Sequence, residues 1–164
     1  MFEHLKAQFQ ARTVDKEYLV LVHGIMPVEV GTIDFAIDRG AGGRMVSRPK
    51  TDATSLRGVA HEQPGRKALT EFTVVKQFTR FALLRVKIHT GRTHQIRVHM
   101  LAYNHPVVGD DLYFNKKLNR KRDLELGRLF LHAARLCFDD VEGKRVCFES
   151  SLPEGLEKFL EGLR

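Results

Sequence analysis

The segment Thr90-Gly91-Arg92-Thr93-His94-Gln95-Ile96-Arg97-Val98-His99 gathers two arginines and two histidines into ten residues. Guanidinium and imidazole groups this close together suit oxyanions: a planar fork for phosphate or carboxylate, and a ring that gives or takes one proton. The elements around them must set their positions. Phe81 to His89 alternates, with Leu84, Val86 and Ile88 on one face, and reads as a strand. Thr90 and Gly91 turn the chain, and a helix is expected from Thr93 to Tyr103, its continuation blocked by Pro106. A helix start carries unpaired N–H groups that favour anions, and Arg92, Thr93, His94 and Gln95 add donors there. The segment reads as a phosphate or carboxylate site. The plainer reading is a solvated basic turn.

A second cationic feature lies downstream. Lys116, Lys117, Arg120, Lys121 and Arg122 put five cations into seven residues, in a chain with net charge +7 and a pI near 9.6. Such a run is either a solvated loop or a contact for a polyanion. No metal site is expected from His89, His94 and His99. His94 and His99 stand about 140° apart around a helix, and no carboxylate completes a ligand set. Cys137 and Cys147 are isolated, without the spacing of a zinc knuckle or a disulfide scaffold, which fits a reducing compartment. Glu3, His4 and Lys6 rule out a signal-peptide core at Met1, and the apolar run Tyr18 to Val22 is far too short to span a membrane. A cytoplasmic protein without membrane partners is expected.

At 164 residues and 43% hydrophobic, the chain is one domain's worth, expected over 1–164. Phe2 to Arg12 reads as an amphipathic helix, and Lys16 to His23 as a strand buried on both faces. Gly31 to Ile37 suggests a short strand, and Asp38 to Gln63 a long loop or β-excursion. Leu69 to Phe78 pairs with the strand from Phe81 through a turn near Thr79 and Arg80. Phe130 to Phe138 alternates, Val141 to Lys144 turns into a strand from Arg145 to Glu149, and Pro153 starts a last helix. The order gives an α+β fold: a mixed, mainly antiparallel sheet flanked by a few helices.

Four ordered motifs then carry a resemblance. The arginine turn, followed by Asn104-His105-Pro106-Val107-Val108-Gly109-Asp110 and Tyr113, resembles the C-terminal signature of the RluA-type pseudouridine synthases. Lys16-Glu17-Tyr18-Leu19-Val20-Leu21-Val22-His23-Gly24 is similar to that family's tyrosine strand. Gly65-Arg66-Lys67-Ala68-Leu69-Thr70 and Leu131-His132-Ala133-Ala134-Arg135-Leu136-Cys137-Phe138 resemble two further family segments. The family's His-Arg-Leu-Asp segment, which carries its nucleophilic aspartate upstream of the tyrosine strand, is absent from this sequence. The chain therefore resembles the C-terminal part of a synthase catalytic domain.

The resemblance implies isomerisation of uridine to pseudouridine in rRNA or tRNA, through a flipped-out base and without a cofactor. It implies that Tyr18 lies against the uracil, its hydroxyl helping to remove the C5 proton. Arg97 would pair with the catalytic aspartate; without it, Arg97 is expected to be solvent-reachable or re-paired with Asp110 or Asp111. Arg92, Thr93, His94 and Gln95 would hold the sugar-phosphate, and Leu131 or Leu136 would pack under the base. Lacking the nucleophile, this chain is expected to be inactive alone. Two further readings stand beside it: a non-catalytic basic RNA-binding module, and a generic basic α+β domain. A sheet edge left open by truncation would favour self-association.

Overall fold

The computed structural model describes residues 1–40, 42–47, 65–118 and 120–164. Its backbone is a six-stranded antiparallel sheet. Helix α1 (Phe2–Ala11) leads into β1 (Asp15–His23), followed by β2 (Val30–Ile33), β3 (Ile37–Arg39), β4 (Met45–Ser47), β5 (Thr70–Gln77) and β6 (Phe81–Ile88). Then come α2 (Gln95–Ala102), α3 (Lys121–Leu126), β7 (Leu131–Asp139), β8 (Arg145–Glu149) and α4 (Glu154–Glu161). The spatial order is β2-β5-β6-β1-β7-β8, with β3 and β4 as a separate hairpin. Each of these pairs is antiparallel, so the fold is α+β as expected.

Strand β1 is the spine, paired with β6 on one side and β7 on the other. Its alternation divides the core between the two sheet faces. Val20 and Val22 join Phe72, Leu84, Val86 and the α2 residues Ile96 and Met100. Leu21 joins Phe81, Leu83, Phe130 and Leu156 of α4. Both faces are covered, which explains the near-continuous apolar run in the sequence. Gly31 in β2 lets the Phe72 ring close on the sheet; a Cβ there would lie 2.5 Å from the ring.

The structure corrects several expectations. Gly31 to Ile37 is no single strand: β2 ends at Ile33 and β3 starts at Ile37. The excursion from Asp38 contains the β3–β4 hairpin, while 41 and 48–64 lie outside the described residues. Helix α2 starts at Gln95 rather than Thr93, because His94 takes a left-handed backbone with φ 54°. Cys137 and Cys147 are not isolated thiols; they form a disulfide. The β7–β8 register sets them directly opposite each other, with Cα atoms 4.1 Å apart.

Edge strands β2 and β8 have no outer neighbour among the described residues, and Val30 and Phe148 are 67% and 60% exposed. Among these residues no helix is long and apolar enough to cross a membrane.

The disulfide spans ten positions in sequence. A loop of that size contributes on the order of 2–3 kcal/mol through the unfolded chain. Reduction, or Cys147→Ser, should lower the urea unfolding free energy by about that amount. Thiol titration of the oxidised, denatured chain should find neither cysteine reactive.

Candidate active site

The site is built around a carboxylate that cannot leave its place. Gly109 turns with φ +76°, and a Cβ there would meet the Arg128 carbonyl oxygen at 1.8 Å, so only glycine follows this path. The next residue, Asp110, folds its side chain back on its own loop. Its Oδ1 accepts the N–H groups of Leu112 (2.9 Å) and Tyr113 (2.8 Å). Arg97 closes on the same carboxylate as a fork, Nε to Oδ2 and Nη2 to Oδ1, both at 2.7 Å. The Asp110 side chain is fully buried and that of Arg97 is 14% exposed. Of the two acids left open by the sequence, Asp110 is the partner.

Burial alone would push the Asp110 pKa up. The Arg97 hydrogen bonds and the two backbone N–H groups outweigh it and hold the carboxyl below its ordinary value. The same pairing raises the Arg97 pKa. Tyr113 braces the guanidinium from another side, its ring centroid 4.9 Å from the Arg97 carbon. The Tyr113 hydroxyl accepts from the Met45 N–H (3.2 Å) and lies 2.9 Å from His94 Nδ1. One group stays uncommitted: Arg97 Nη1 has no acceptor among the described residues.

The turn before α2 is held by a different side chain. Gln95 Oε1 accepts from the Thr90 hydroxyl (2.7 Å) and the Arg92 N–H (3.1 Å). Its Nε2 donates to the Leu69 carbonyl (2.9 Å) and Thr70 Oγ1 (3.0 Å). All four of its hydrogen-bonding positions are used inside the protein, and the residue is 3% exposed. Gln95 was expected among the phosphate donors; it is a structural knot instead. His99 belongs to the same knot. Its Nε2 donates to the Phe35 carbonyl, so its Nδ1 accepts from Thr70, both at 2.9 Å. Burial lowers its pKa and keeps it neutral.

Arg92, Thr93 and His94 remain at the surface of this turn. Arg92 Nε donates to the Lys67 carbonyl (3.2 Å), joining the arginine turn to the Gly65–Thr70 segment. Beside them lies a cleft of about 430 Å3, lined by Arg12, Asp34, Lys67, His89 and Thr90 among others.

Tyr18 sits on the α2 side of β1, next to a bulge between Glu17 and Tyr18 in the β1–β7 pairing. It is half-buried, burial raises its pKa, and its hydroxyl has no hydrogen-bond partner among the described residues. Leu131 packs against the same cluster, whose buried members include Ile96 and Met100 of α2.

The basic run divides. Lys116, Lys117, Lys121 and Arg122 are exposed. Arg120 turns inward: its Nη2 donates to the Asp110 carbonyl (2.6 Å) and its guanidinium stacks 4.1 Å from the Phe114 ring. Expected as an RNA contact, Arg120 supports the Asp110 loop. Sequence reasoning assigned no role to Tyr113, whose signal was the Asp-x-x-Tyr spacing of a side-chain-closed turn. It also missed Asp123, paired with buried His23 at 3.0 Å. Among the described residues no His, Cys, Asp and Glu cluster could hold a metal ion.

The lowered Asp110 pKa has a definite sign. Its contribution to stability is complete above the ordinary carboxyl pKa, about 4, and is lost as pH falls through the lowered value. Asp110→Asn should be less stable at neutral pH, and its unfolding free energy should fall less steeply than wild type below about pH 4, as read by urea denaturation.

Residues 1–102 match the family described as RNA pseudouridylate synthase. An uncharacterised RNA pseudouridine synthase of Bacillus subtilis, YlyB, is 34% identical over 163 residues, 99% of this chain and 48% of that protein. One from Mycobacterium tuberculosis is 39% identical over 161 residues, covering 98% and 48%. Ribosomal large subunit pseudouridine synthase C of Buchnera aphidicola is 32% identical over 150 residues, covering 88% and 44%. The chain thus spans about half the length of these curated relatives. Among solved structures, human RNA pseudouridylate synthase domain containing 4 shares the fold at TM-score 0.79 and 23% identity, covering 97% of this chain and 66% of that one.

Proposed function

We infer the function from one premise: this chain belongs to the RNA pseudouridylate synthase family. The family acts on RNA, breaking the C1′–N1 bond of a uridine, turning the uracil and rejoining it through C5. We propose that this chain forms the part of such a synthase that grips RNA and presents the flipped-out base. The RNA is ribosomal or transfer RNA, and no cofactor takes part.

In this reading the Tyr18 ring lies against the uracil on the α2 side of the sheet, with Leu131 in the same cluster. Burial keeps its hydroxyl protonated at neutral pH, so the hydroxyl relays the C5 proton to an acceptor rather than acting as a free phenolate. Arg92, Thr93 and His94 hold the sugar-phosphate at the turn. Lys116, Lys117, Lys121 and Arg122 add backbone contacts along the exposed basic run.

The observation that carries the reading is the state of Arg97. Asp110 and Tyr113 hold its guanidinium in one orientation and leave Nη1 uncommitted. A second carboxylate can therefore be steered to a fixed position and kept ionised. Asp110 is unfit to be the nucleophile: it is buried and accepts four hydrogen bonds from Arg97, Leu112 and Tyr113. The attacking carboxylate must come from a His-Arg-Leu-Asp segment, and this sequence has none. The chain alone binds RNA without turning it over.

The test is tritium release from RNA labelled at uracil C5. The chain alone should release none. The same chain extended at its N-terminus by a His-Arg-Leu-Asp segment from a relative should release tritium, and Arg97→Ala should abolish that release. RNA binding by the chain alone should be salt-sensitive, and Arg92→Ala should reduce the salt slope by close to one unit. Binding with no release from the extended chain would favour the non-catalytic module. Release by the chain alone would place the nucleophile within these residues and overturn the reading.

A further inference from the structure

The isomerisation leaves one large cavity unused. It lies at the His23 end of β1, about 17 Å along the strand from Tyr18 and against the α4 cluster on the other face of the sheet, and has a volume of about 970 Å3. That is the upper end of the range for small-molecule sites. Phe81, Leu118 and Leu163 give it apolar walls, and Arg80, Lys121 and Arg122 line it as cations. Its acid, Glu125, is already paired with Arg122 at 2.8 Å. The Arg80 guanidinium has no partner among the described residues.

The cavity is tied to the candidate active site by one loop. His23, in its wall, pairs with Asp123, and Asp123 Oδ2 accepts the Gly109 N–H at 3.0 Å. Gly109 immediately precedes Asp110, the anchor of Arg97. From Asp110 the loop runs to Arg120, which bonds back to the Asp110 carbonyl, and then directly to Lys121 and Arg122 in the cavity wall. An RNA strand held at the turn of Arg92, Thr93 and His94 that follows this loop arrives at the cavity.

We propose that the cavity receives one unpaired nucleotide of the same RNA strand, a few nucleotides away from the target uridine. Its base lies among Phe81, Leu118 and Leu163, and its phosphate meets Arg80, Lys121 and Arg122. An apolar slot edged by cations suits a flat ring joined to an anion. A purely apolar peptide would leave the Arg80 guanidinium unmatched, and a bare anion would leave the apolar walls unused. The proposal rests on the RNA reading above and adds to it a second recognition point.

The experiment is an NMR titration of the 15N-labelled chain with uridine 5′-monophosphate, uridine, inorganic phosphate and a short oligouridylate. The monophosphate should shift the Gly24, Thr79 and Leu163 amides, with uridine or phosphate alone at least tenfold weaker. Arg80→Glu should weaken the monophosphate about tenfold, Arg80→Gln less, with the rest of the spectrum unchanged. The oligouridylate should shift these amides together with Thr93 and His94. Shifts at Thr93 and His94 alone would overturn the cavity and leave the functional reading standing. Equal shifts from inorganic phosphate would reduce the cavity to a simple anion site, and no effect of Arg80→Glu would remove its charge recognition; either result overturns the proposal. Cavity shifts together with no tritium release from the extended chain would instead overturn the functional reading.

Discussion

The pairing of Arg97 with Asp110 is the constraint around which this molecule is arranged. Asp110 is taken wholly out of water, which is tolerable only because both of its oxygens meet protein donors. Losing one partner would leave a buried charge unmatched, at a cost of about 3–5 kcal/mol. Much of the local structure follows from avoiding that. Gly109 accepts a conformation closed to other residues, Leu112 and Tyr113 turn their N–H groups inward, and Arg120 ties the loop from outside.

This economy explains how an arginine can be strongly held and still keep a donor free. A guanidinium offers five N–H donors in a plane. Asp110 takes one edge, the Tyr113 ring supports the group, and Nη1 stays available. Strand β1 does the equivalent for Tyr18. Leu21 anchors one face against α4, and Tyr18 joins the α2 cluster on the other. The bulge beside Tyr18 marks where regular pairing gives way. Rigid strands and one self-closed loop thus hold Tyr18 and Arg97 in place.

Features written in short-range pattern could be read from the sequence. The β5–β6 hairpin, the helix after the arginine turn and the β7–β8 hairpin all follow from periodicity and breakers close at hand. What escaped depends on partners far along the chain. Gln95 looks like a surface donor until Leu69 and Thr70 come to it from β5's side of the sheet. Arg120 looks like one of five equivalent cations until the Asp110 carbonyl and Phe114 claim it. The disulfide was a nearer miss: pairing Asp139 with Arg145 across the turn already sets Cys137 opposite Cys147. The motif order identified the family because its functional groups are local in sequence, while the identity of the Arg97 partner required the fold.

The most direct measurement is a double-mutant cycle in urea unfolding at neutral pH, using Arg97→Met, Asp110→Asn and both together. Each single change should cost about 3 kcal/mol or more, and the pair should cost at least about 1.5 kcal/mol less than the sum. Costs that add within about 0.5 kcal/mol would mean the two side chains do not depend on each other. Arg97 would then not be held by Asp110, and the account of how it is presented to an incoming carboxylate would fail.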